Sequence, residues 1–452
     1  MTKARALAMR QTSGALAHRL FAATTLAVVL AAAFIVTQAR GDGHTTTSHG
    51  ISAFGDLKYP ADFPHFDYVN PDAPKGGTFS SRGTGASNTF DSLNAYILKG
   101  EPAQGLGLLY DTLLVGSADE PDSAYGLIAE SLEYPEDRSW VTFNMREEAQ
   151  FSDGTPLTSA DVVWTFNTLI EKGVPSFKIR YQDVESVEAL GPHQVKFTFK
   201  SDAVSFRDLP ATMGGMPILP MHYYAERDFA ESTMEFPVGS GAYVVDEAQP
   251  GRMIRYCRNP DYWGADLPVN VGTYNFECTV YEYFADRTAA FEALKSGTYL
   301  FHEEFYSKIW ATEYNFPSLE KGWVIQESIP EARPSGTQGY WINTRREKFA
   351  DPRVREAIGK LFNFEWSNET LFYGIYDRTD SFWENAQNMQ ATGMAEGKER
   401  AILEEFRDLL PASVLEAEAF TPGIYPPARV PRSAIRAAKR LMEEAGYSLQ
   451  NG

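Results

Sequence analysis

Cysteine is scarce in this sequence, since only Cys257 and Cys278 occur among its 452 residues. Two thiols cannot build a disulfide framework, and by themselves they cannot complete the four ligands of a structural zinc site. Both cysteines fall at alternating apolar positions of predicted strands. Two buried free thiols and one disulfide bond fit that pattern equally well, so the sequence leaves the pairing open.

Histidine is also scarce, with seven residues in the chain, three of which precede Gly50. His302 begins a segment like the start of a zinc-protease helix, but Tyr306 stands where the second histidine ligand must be. The chain has no Gly-x-Ser-x-Gly nucleophile turn, and adjacent acids such as Glu303 and Glu304 do not face each other on a helix. We therefore expect no metal, no cofactor and no catalytic activity, which makes a secreted hydrolase the least favoured function.

Basic residues are outnumbered, because 41 Lys and Arg stand against 60 Asp and Glu and leave a net charge of −19. Such a chain is repelled by nucleic acid and by anionic membrane surfaces, so we expect neither as a partner. The apolar share is 43% and the aromatic share 13%, which is typical of a globular protein. A chain of this length favours two or three domains.

One long apolar run is present, from Leu20 to Val36, and basic residues precede it. Small residues around Ala39 then suit cleavage by a signal peptidase. We predict a signal peptide over residues 1–39 and a periplasmic mature protein, with a retained membrane anchor as the alternative because the run is long. No cysteine lies near this segment, which argues against a lipoprotein. The polar stretch 40–50 is predicted to be a disordered linker.

The clearest local pattern covers residues 129–173 and predicts a strand, a turn and a capped helix. Apolar and polar residues alternate over 141–145, as in a half-buried strand, and the Phe-Ser-Asp-Gly turn at 151–154 ends it. Thr158 can cap the following helix, with an acid three residues later as in a capping box. Gly173 ends that helix. Its predicted apolar face consists of Val162, Val163, Phe166, Leu169 and Ile170.

The rest of the chain predicts strands interleaved with helices, which is an α/β pattern. The predicted strands are 77–81, 187–190, 194–200, 241–247, 253–258, 276–280, 323–329 and 340–343. The predicted helices are 286–295, 352–362, 364–372 and 432–445.

Four motifs carry a resemblance to a known family. They are Phe-Ser-Asp-Gly-Thr-Pro-Leu-Thr at 151–158, Pro-Val-Gly-Ser-Gly-Ala-Tyr at 237–243, Arg-Asn-Pro-Asp-Tyr-Trp-Gly at 258–264, and Phe-Ala-Asp-Pro-Arg-Val-Arg-Glu-Ala at 349–357. With them the chain resembles the family 5 extracellular solute-binding proteins, the peptide-binding receptors of ABC importers, over nearly all of residues 51–452. Ala242 departs from the proline that is common in the second motif. Within the family, residues 364–382 are most similar to the microcin C and oligopeptide receptors.

The resemblance implies an α/β, two-lobed periplasmic-binding-protein type II fold with an extra inserted domain. The first lobe would comprise 51–83 and 235–335, the inserted domain 84–234, and the second lobe 336–452. The lobes of such receptors close around a ligand by a hinge. Family members continue beyond the position of Gly452, so we expect the second lobe of this chain to be incomplete.

The resemblance also implies a binding site, because the family holds peptides by main-chain hydrogen bonds, like an added strand, with roomy side-chain pockets. The matching segments are the loop Lys99-Gly100-Glu101 and the predicted strand Gln338-Gly339-Tyr340. Four further candidates are Ser81, Arg82, Asn88 and Trp383. The implied function is a monomeric periplasmic receptor that delivers short peptides or peptide-like compounds to the permease subunits of an ABC importer. A sensory or scaffold module derived from such a receptor is the alternative.

Overall fold

The computed structural model describes residues 45–83, 88–120, 122–203, 206–330, 335–386 and 389–450. The predicted signal peptide at 1–39 lies outside the described residues. The chain divides into two compact units, residues 1–301 and residues 302–452, here called the first and the second unit. The lobe and insert boundaries implied by the resemblance stay predictions.

Every strand of the described residues lies in the first unit. The strands are β1 (Thr45–Ser48), β2 (Gly50–Ser52), β3 (Thr78–Arg82), β4 (Leu114–Gly116), β5 (Ser123–Gly126), β6 (Ala129–Pro135), β7 (Trp140–Met145), β8 (Val184–Gly191), β9 (Gln194–Phe199), β10 (Tyr243–Gln249), β11 (Met253–Arg258) and β12 (Cys278–Glu282).

These strands form three sheets. A five-stranded sheet has the order β1-β6-β7-β9-β8, and all its neighbours are antiparallel. A four-stranded sheet has the order β10-β11-β12-β3, in which β3 runs parallel to β12. A three-stranded antiparallel sheet has the order β2-β5-β4. The parallel pair matters most for the site, because both of its strands end at the same edge of the sheet.

Helices occur in both units. Those of the first unit are α1 (Ser159–Lys172), α2 (Pro175–Arg180), α3 (Leu209–Gly214), α4 (Met221–Tyr224) and α5 (Arg287–Lys295), with a 3-10 turn at Leu106–Leu109. Those of the second unit are α6 (Ser307–Thr312), α7 (Pro317–Glu320), α8 (Glu347–Ala350), α9 (Pro352–Lys360), α10 (Phe364–Leu371), α11 (Gly397–Glu405), α12 (Ser413–Glu416) and α13 (Arg432–Glu444), with a 3-10 turn at Arg407–Leu409. None of the described helices is both long and apolar enough to cross a membrane.

The predicted strand, turn and capped helix are confirmed by β7 and α1. The Thr158 N–H donates to the carboxylate of Asp161 at 2.9 Å, as the capping-box pattern predicts. Val162 and Leu169 are fully buried in the core beneath the five-stranded sheet. The helix therefore forms where an apolar stripe at helical spacing meets an apolar sheet face.

The prediction of disorder for residues 40–50 is wrong over 45–50. Thr45–Ser48 pairs with β6 in an antiparallel ladder, and Gly50–Ser52 pairs with β5. The polar composition misled the prediction because β1 is an edge strand. Main-chain hydrogen bonds hold such a strand, and its side chains do not need a core.

The predicted strands 323–329 and 340–343 are also wrong, and so is the strand expected at Gln338–Tyr340. The structure has irregular backbone at all three places. A strand needs a neighbouring strand to satisfy its main-chain groups, and the described residues of the second unit contain no sheet. Their order comes from helix packing instead, with Val354 of α9 and Ala438 of α13 both buried.

Candidate functional site

The carboxyl ends of β3 and β12 bring three of the predicted site residues together. Ser81 and Arg82 are the last residues of β3, and Arg82 stands opposite Glu282 in the parallel ladder. The Asn88 side-chain amide donates to the carbonyl of Ala285, just beyond the end of β12. In open α/β sheets, ligands bind at the carboxyl ends of parallel strands, so this edge is the candidate site of the first unit.

Arg82 has an unusual environment at this edge. Its Nε atom is buried and has no hydrogen-bond partner among the described residues. No ion pair joins Arg82 to Glu282 or to any other acid among the described residues. Burial raises the pKa of the Glu282 carboxyl, which nearby Arg252 opposes. A guanidinium N–H that is cut off from water and left unpaired costs free energy.

The predicted loop Lys99–Glu101 is held by its neighbours. The Glu101 N–H donates to Asp91 Oδ1 at 2.6 Å, and the Glu101 carbonyl accepts from the Asp91 N–H at 3.0 Å. The Lys99 ammonium forms an ion pair with Glu231. Among the described residues, the main-chain groups of Lys99 and Gly100 have no hydrogen-bond partner. Within this loop, only Lys99 and Gly100 therefore have main-chain groups that are available to hydrogen-bond a ligand.

Tyr283 links this loop to the edge where β3 and β12 end. The Phe90 ring packs against the Tyr283 ring with centroids 5.1 Å apart, and the Gln104 N–H donates to the Tyr283 hydroxyl at 2.8 Å. Both ends of the segment 90–104 are therefore anchored one residue beyond β12. The structure places all six candidate residues of the first unit on segments that begin at, or are fastened to, this edge.

The four candidates of the second unit lie on irregular segments. Tyr340 follows Gln338 and Gly339 and is 93% exposed. Trp383 is 47% exposed, and its N–H donates to the Ser381 hydroxyl at 3.0 Å in a local turn. Both aromatic side chains are thus accessible for contact with a ligand.

The family motifs converge on a buried carboxyl that the sequence analysis missed. Asp111 is 4% exposed, and its carboxylate accepts from the Tyr262 hydroxyl at 3.1 Å and from Trp263 Nε1 at 3.1 Å. The Asp111 N–H donates to the Ser240 hydroxyl at 3.0 Å. One signal could have indicated this: Tyr and Trp in the Asn-Pro-Asp-Tyr-Trp motif both carry donors that need a buried acceptor.

The glycines of the second motif are there because backbone passes against backbone. A Cβ on Gly239 would lie 1.9 Å from the Leu109 carbonyl oxygen, and one on Gly241 would lie 2.6 Å from the Leu108 carbonyl oxygen. The Ser152 N–H, in the Phe-Ser-Asp-Gly turn, donates to the Gly239 carbonyl at 2.7 Å. Three of the motifs thus form one hydrogen-bonded network beside Asp111, and their role is structural.

Asp111 makes the stability of the first unit depend on pH. Burial raises its pKa from 3.8 to about 7, against the lowering effect of its bonds from Tyr262 and Trp263. As pH rises through this window, the unfolded chain releases the proton before the folded chain does, so ionisation favours unfolding. We expect Asp111→Asn to remove this contribution. As pH rises from the lower to the higher of these two pKa values, the free energy of unfolding of the variant should increase relative to that of wild type, by a few kcal/mol at most.

Urea unfolding of wild type and Asp111→Asn at mildly acidic and mildly alkaline pH measures this difference. Other titrating groups are common to both proteins and cancel when the two free energies are subtracted. A wild-type minus variant difference that stays constant with pH contradicts the assignment to Asp111.

Metal-ligating side chains do not cluster in the part of the chain that the structure describes. No group of three or more His, Cys, Asp or Glu residues there is placed to hold a metal ion. His302 faces Glu304 at 3.3 Å. One histidine and one carboxylate are fewer ligands than a zinc site needs.

Several proteins are similar in sequence to this chain over nearly its whole length. A putative binding protein from Brucella abortus strain 2308 is 39% identical over 444 residues, which cover 96% of this chain and 71% of that protein. The probable peptide-binding protein YejA of Agrobacterium fabrum is 39% identical over 434 residues, covering 94% of this chain and 69% of that protein. The peptidoglycan-binding protein YepA of the same organism is 37% identical over 446 residues, covering 94% and 72%.

Solved structures share the fold at low sequence identity. NikA from Brucella suis, in complex with Fe(III)-EDTA, has a TM-score of 0.57 at 19% identity, covering 82% of this chain and 64% of that one. The oligopeptide-binding protein AppA from Bacillus subtilis, in complex with a nonapeptide, has a TM-score of 0.53 at 20% identity, covering 84% and 66%. This chain thus spans about two thirds of the length of either structure. Both neighbours are periplasmic binding proteins of type II, which confirms the predicted fold class.

The family model described as bacterial extracellular solute-binding proteins, family 5 middle, matches residues 123–452. That range includes all four motifs and most of the chain. The family consists of substrate-binding proteins and is not a family of enzymes. The chain therefore belongs to family 5 of the bacterial extracellular solute-binding proteins.

Proposed function

We propose that this protein is a periplasmic receptor that delivers peptides or peptide-like compounds to an ABC importer. The observation that carries the proposal is its 39% identity to a probable peptide-binding protein over nearly the whole chain. The nonapeptide complex of AppA supports it, because that protein has the same fold. Because one relative is named a peptidoglycan-binding protein, cell-wall peptides are included among the ligands to be tested.

The disulfide bond supports export from the cytosol. Cys257 and Cys278 are bonded across β11 and β12. Structural disulfides persist in oxidising compartments such as the periplasm and are rare in the cytosol. Together with the predicted signal peptide at 1–39, the disulfide bond supports a periplasmic location. The mature chain is then proposed to begin near Arg40.

We propose ligand-contacting residues in each unit. In the first unit these are Ser81, Arg82 and Asn88 at the edge where β3 and β12 end, with the loop Lys99–Glu101 fastened to it. The unpaired main-chain groups of Lys99 and Gly100 support main-chain hydrogen bonding to a peptide, as in strand addition. The proposed contacts of the second unit are Gln338, Gly339, Tyr340 and Trp383. Such bonding does not depend on the peptide's side chains, so selectivity among short peptides should be loose.

A thermal-shift screen of the full chain tests the ligand class. The ligands are di- to heptapeptides, cell-wall peptides, nucleotide-modified peptides, sugars and nickel chelates. A ligand that binds only the folded protein at 100 times its Kd adds about 2.7 kcal/mol of stability and raises the Tm. We expect peptides to raise the Tm. Stabilisation by sugars or chelates with none by any peptide contradicts the proposal.

Tyr340→Ala should weaken the binding of every peptide that binds. Truncating an aromatic residue that carries much of the binding energy costs more than about 1 kcal/mol, which is a roughly fivefold or larger rise in Kd. Trp323→Ala is the matched control, because Trp323 is an exposed aromatic residue of the same unit that is not a site candidate. Isothermal titration measures both variants. Equal affinity in Tyr340→Ala and wild type would remove Tyr340 from the site and leave the family assignment intact.

A further inference from the structure

The segment 91–101 is a loop whose two ends are hydrogen-bonded to each other, as in a compact Ω-loop. The Asp91 and Ser92 N–H groups both donate to the Glu101 carbonyl, at 3.0 and 3.2 Å. In the opposite direction, the Glu101 N–H donates to the Asp91 carboxylate at 2.6 Å. Inside the loop, Leu93 is buried in the core of the first unit. The loop is therefore closed at its base and anchored by its own side chains.

Gly100 lies directly against the Asp91 side chain. Its φ is +86°, in the left-handed region that favours glycine, and a Cβ there would lie 2.8 Å from Asp91 Oδ1 and 2.6 Å from Ser232 Oγ. The Ser232 hydroxyl in turn donates to the Asp91 carbonyl at 2.9 Å. The position of the Asp91 carboxylate thus determines where the chain at Gly100 can run.

The main-chain groups next to this contact are the ones offered to a ligand. Lys99 and Gly100 are exposed, and their N–H and carbonyl groups have no hydrogen-bond partner among the described residues. Asp91 holds the next residue, Glu101, and so orients the chain from its C-terminal side. Groups that already point in the direction needed for binding lose less entropy when the ligand binds.

We propose that Asp91 is a positioning residue of the peptide site. By accepting the Glu101 N–H, its carboxylate holds the main-chain groups of Lys99 and Gly100 in the orientation that the main chain of a peptide binds. The inference rests on the proposed peptide-receptor function and adds a residue that acts through the loop without touching the ligand. This role needs a hydrogen-bond acceptor at position 91 and does not need a negative charge, since an asparagine oxygen can accept the same N–H.

Titration calorimetry with tetra-alanine tests the inference on the full chain, at a temperature well below the Tm. Asp91→Ala should raise the Kd by about tenfold, because the loop then has the binding orientation only part of the time and the apparent Kd rises by the inverse of that fraction. Asp91→Asn should stay within about twofold of wild type, because its side-chain oxygen replaces the lost acceptor. Asp91→Glu keeps the charge but moves the acceptor by one methylene, so its Kd should also rise.

Hydrogen-exchange mass spectrometry separates a local effect from a general loss of stability. In Asp91→Ala, exchange should accelerate in peptides that cover residues 99–103, where the Glu101 N–H loses its acceptor. Peptides from β6 and β7 should exchange as in wild type. Acceleration throughout the first unit would mean that Asp91 stabilises the fold and has no particular role in the loop, which contradicts the inference.

Asp137→Ala is the matched control, because Asp137 Oδ1 accepts the Ser139 N–H at 3.0 Å in another exposed turn of the same unit. This variant loses the same charge and the same kind of bond, and its Kd should equal that of wild type. Equal Kd values for wild type and Asp91→Ala overturn the inference alone, and Asp91→Glu gives this reading if Asp91→Ala does not fold. An Asp91→Asn variant as weak as Asp91→Ala also overturns it, because the charge itself would then contact the ligand. Failure of wild type to bind tetra-alanine contradicts the peptide-receptor proposal as well.

Discussion

Removing the disulfide with the double substitution Cys257→Ala and Cys278→Ala is expected to lower the free energy of unfolding of the first unit by about 3 kcal/mol. The bond joins residues 21 apart in sequence and clips β11 to β12. Without the bond, the unfolded chain regains the conformational entropy of that loop, which favours unfolding. Hydrogen-exchange mass spectrometry of peptides from β10 to β12 measures the effect on this unit separately from the rest of the chain.

Wild type treated with a reductant is the control for the double substitution. The two proteins should show the same accelerated exchange in β11 and β12, because both cysteine side chains are only partly buried and their truncation itself costs little. Exchange rates unchanged in both would mean that the sheet holds its strands without the bond.

Gly239→Ala is expected to destabilise the first unit by about 3 kcal/mol, as in other cases of overpacking. The added Cβ would lie 1.9 Å from the Leu109 carbonyl oxygen, which is backbone and cannot turn aside. Relief requires the chain at 239–241 to move away from 108–111. That movement lengthens the bond from the Asp111 N–H to Ser240 and the bond from the Gly241 N–H to Leu109. Thermal unfolding measures the loss as a lower Tm.

Gly107→Ala is the matched control for Gly239→Ala. Gly107 lies in the 3-10 turn at Leu106–Leu109, and a Cβ there would meet nothing within 4 Å. Its Tm should stay close to that of wild type, because the same atoms are added to the segment without a clash. Equal Tm values for the two variants would show that the backbone at 239 can shift freely.

Local pattern was sufficient wherever neighbouring residues in sequence also decide the structure. The capped helix α1 and the hairpin of β8 and β9 are confirmed at nearly the predicted residues. Phe197 shows why, because its burial follows from simple alternation along β9. The Asp286 cap of α5 and the proline at the start of α9 are equally local signals, and both helices begin within one residue of the prediction.

Prediction from local sequence pattern failed where the structure of a segment depends on partners that are distant in sequence. Residues 323–329 have the composition of a strand, but no described strand of their unit is available to pair with them. The edge strand β1 has no apolar signal, and the β6 strand that orders it follows about eighty residues later. In the candidate site, Arg82 was only a further candidate, beside the segments that match the family. That its Nε is buried and unpaired could not be read from the sequence.

The sequence alone determined the fold class, the solute-binding family and the main helices and hairpins of the first unit. Helix caps, apolar alternation and the four motifs each lie within a short stretch of sequence. The tertiary structure decided three further points. It bonded Cys257 to Cys278 by setting them opposite each other in β11 and β12. It gathered three motifs around Asp111, whose burial comes from segments more than a hundred residues apart. It also buried the Arg82 Nε at the end of β3 without a hydrogen-bond partner among the described residues, because the surroundings of a side chain come from segments that are distant in sequence.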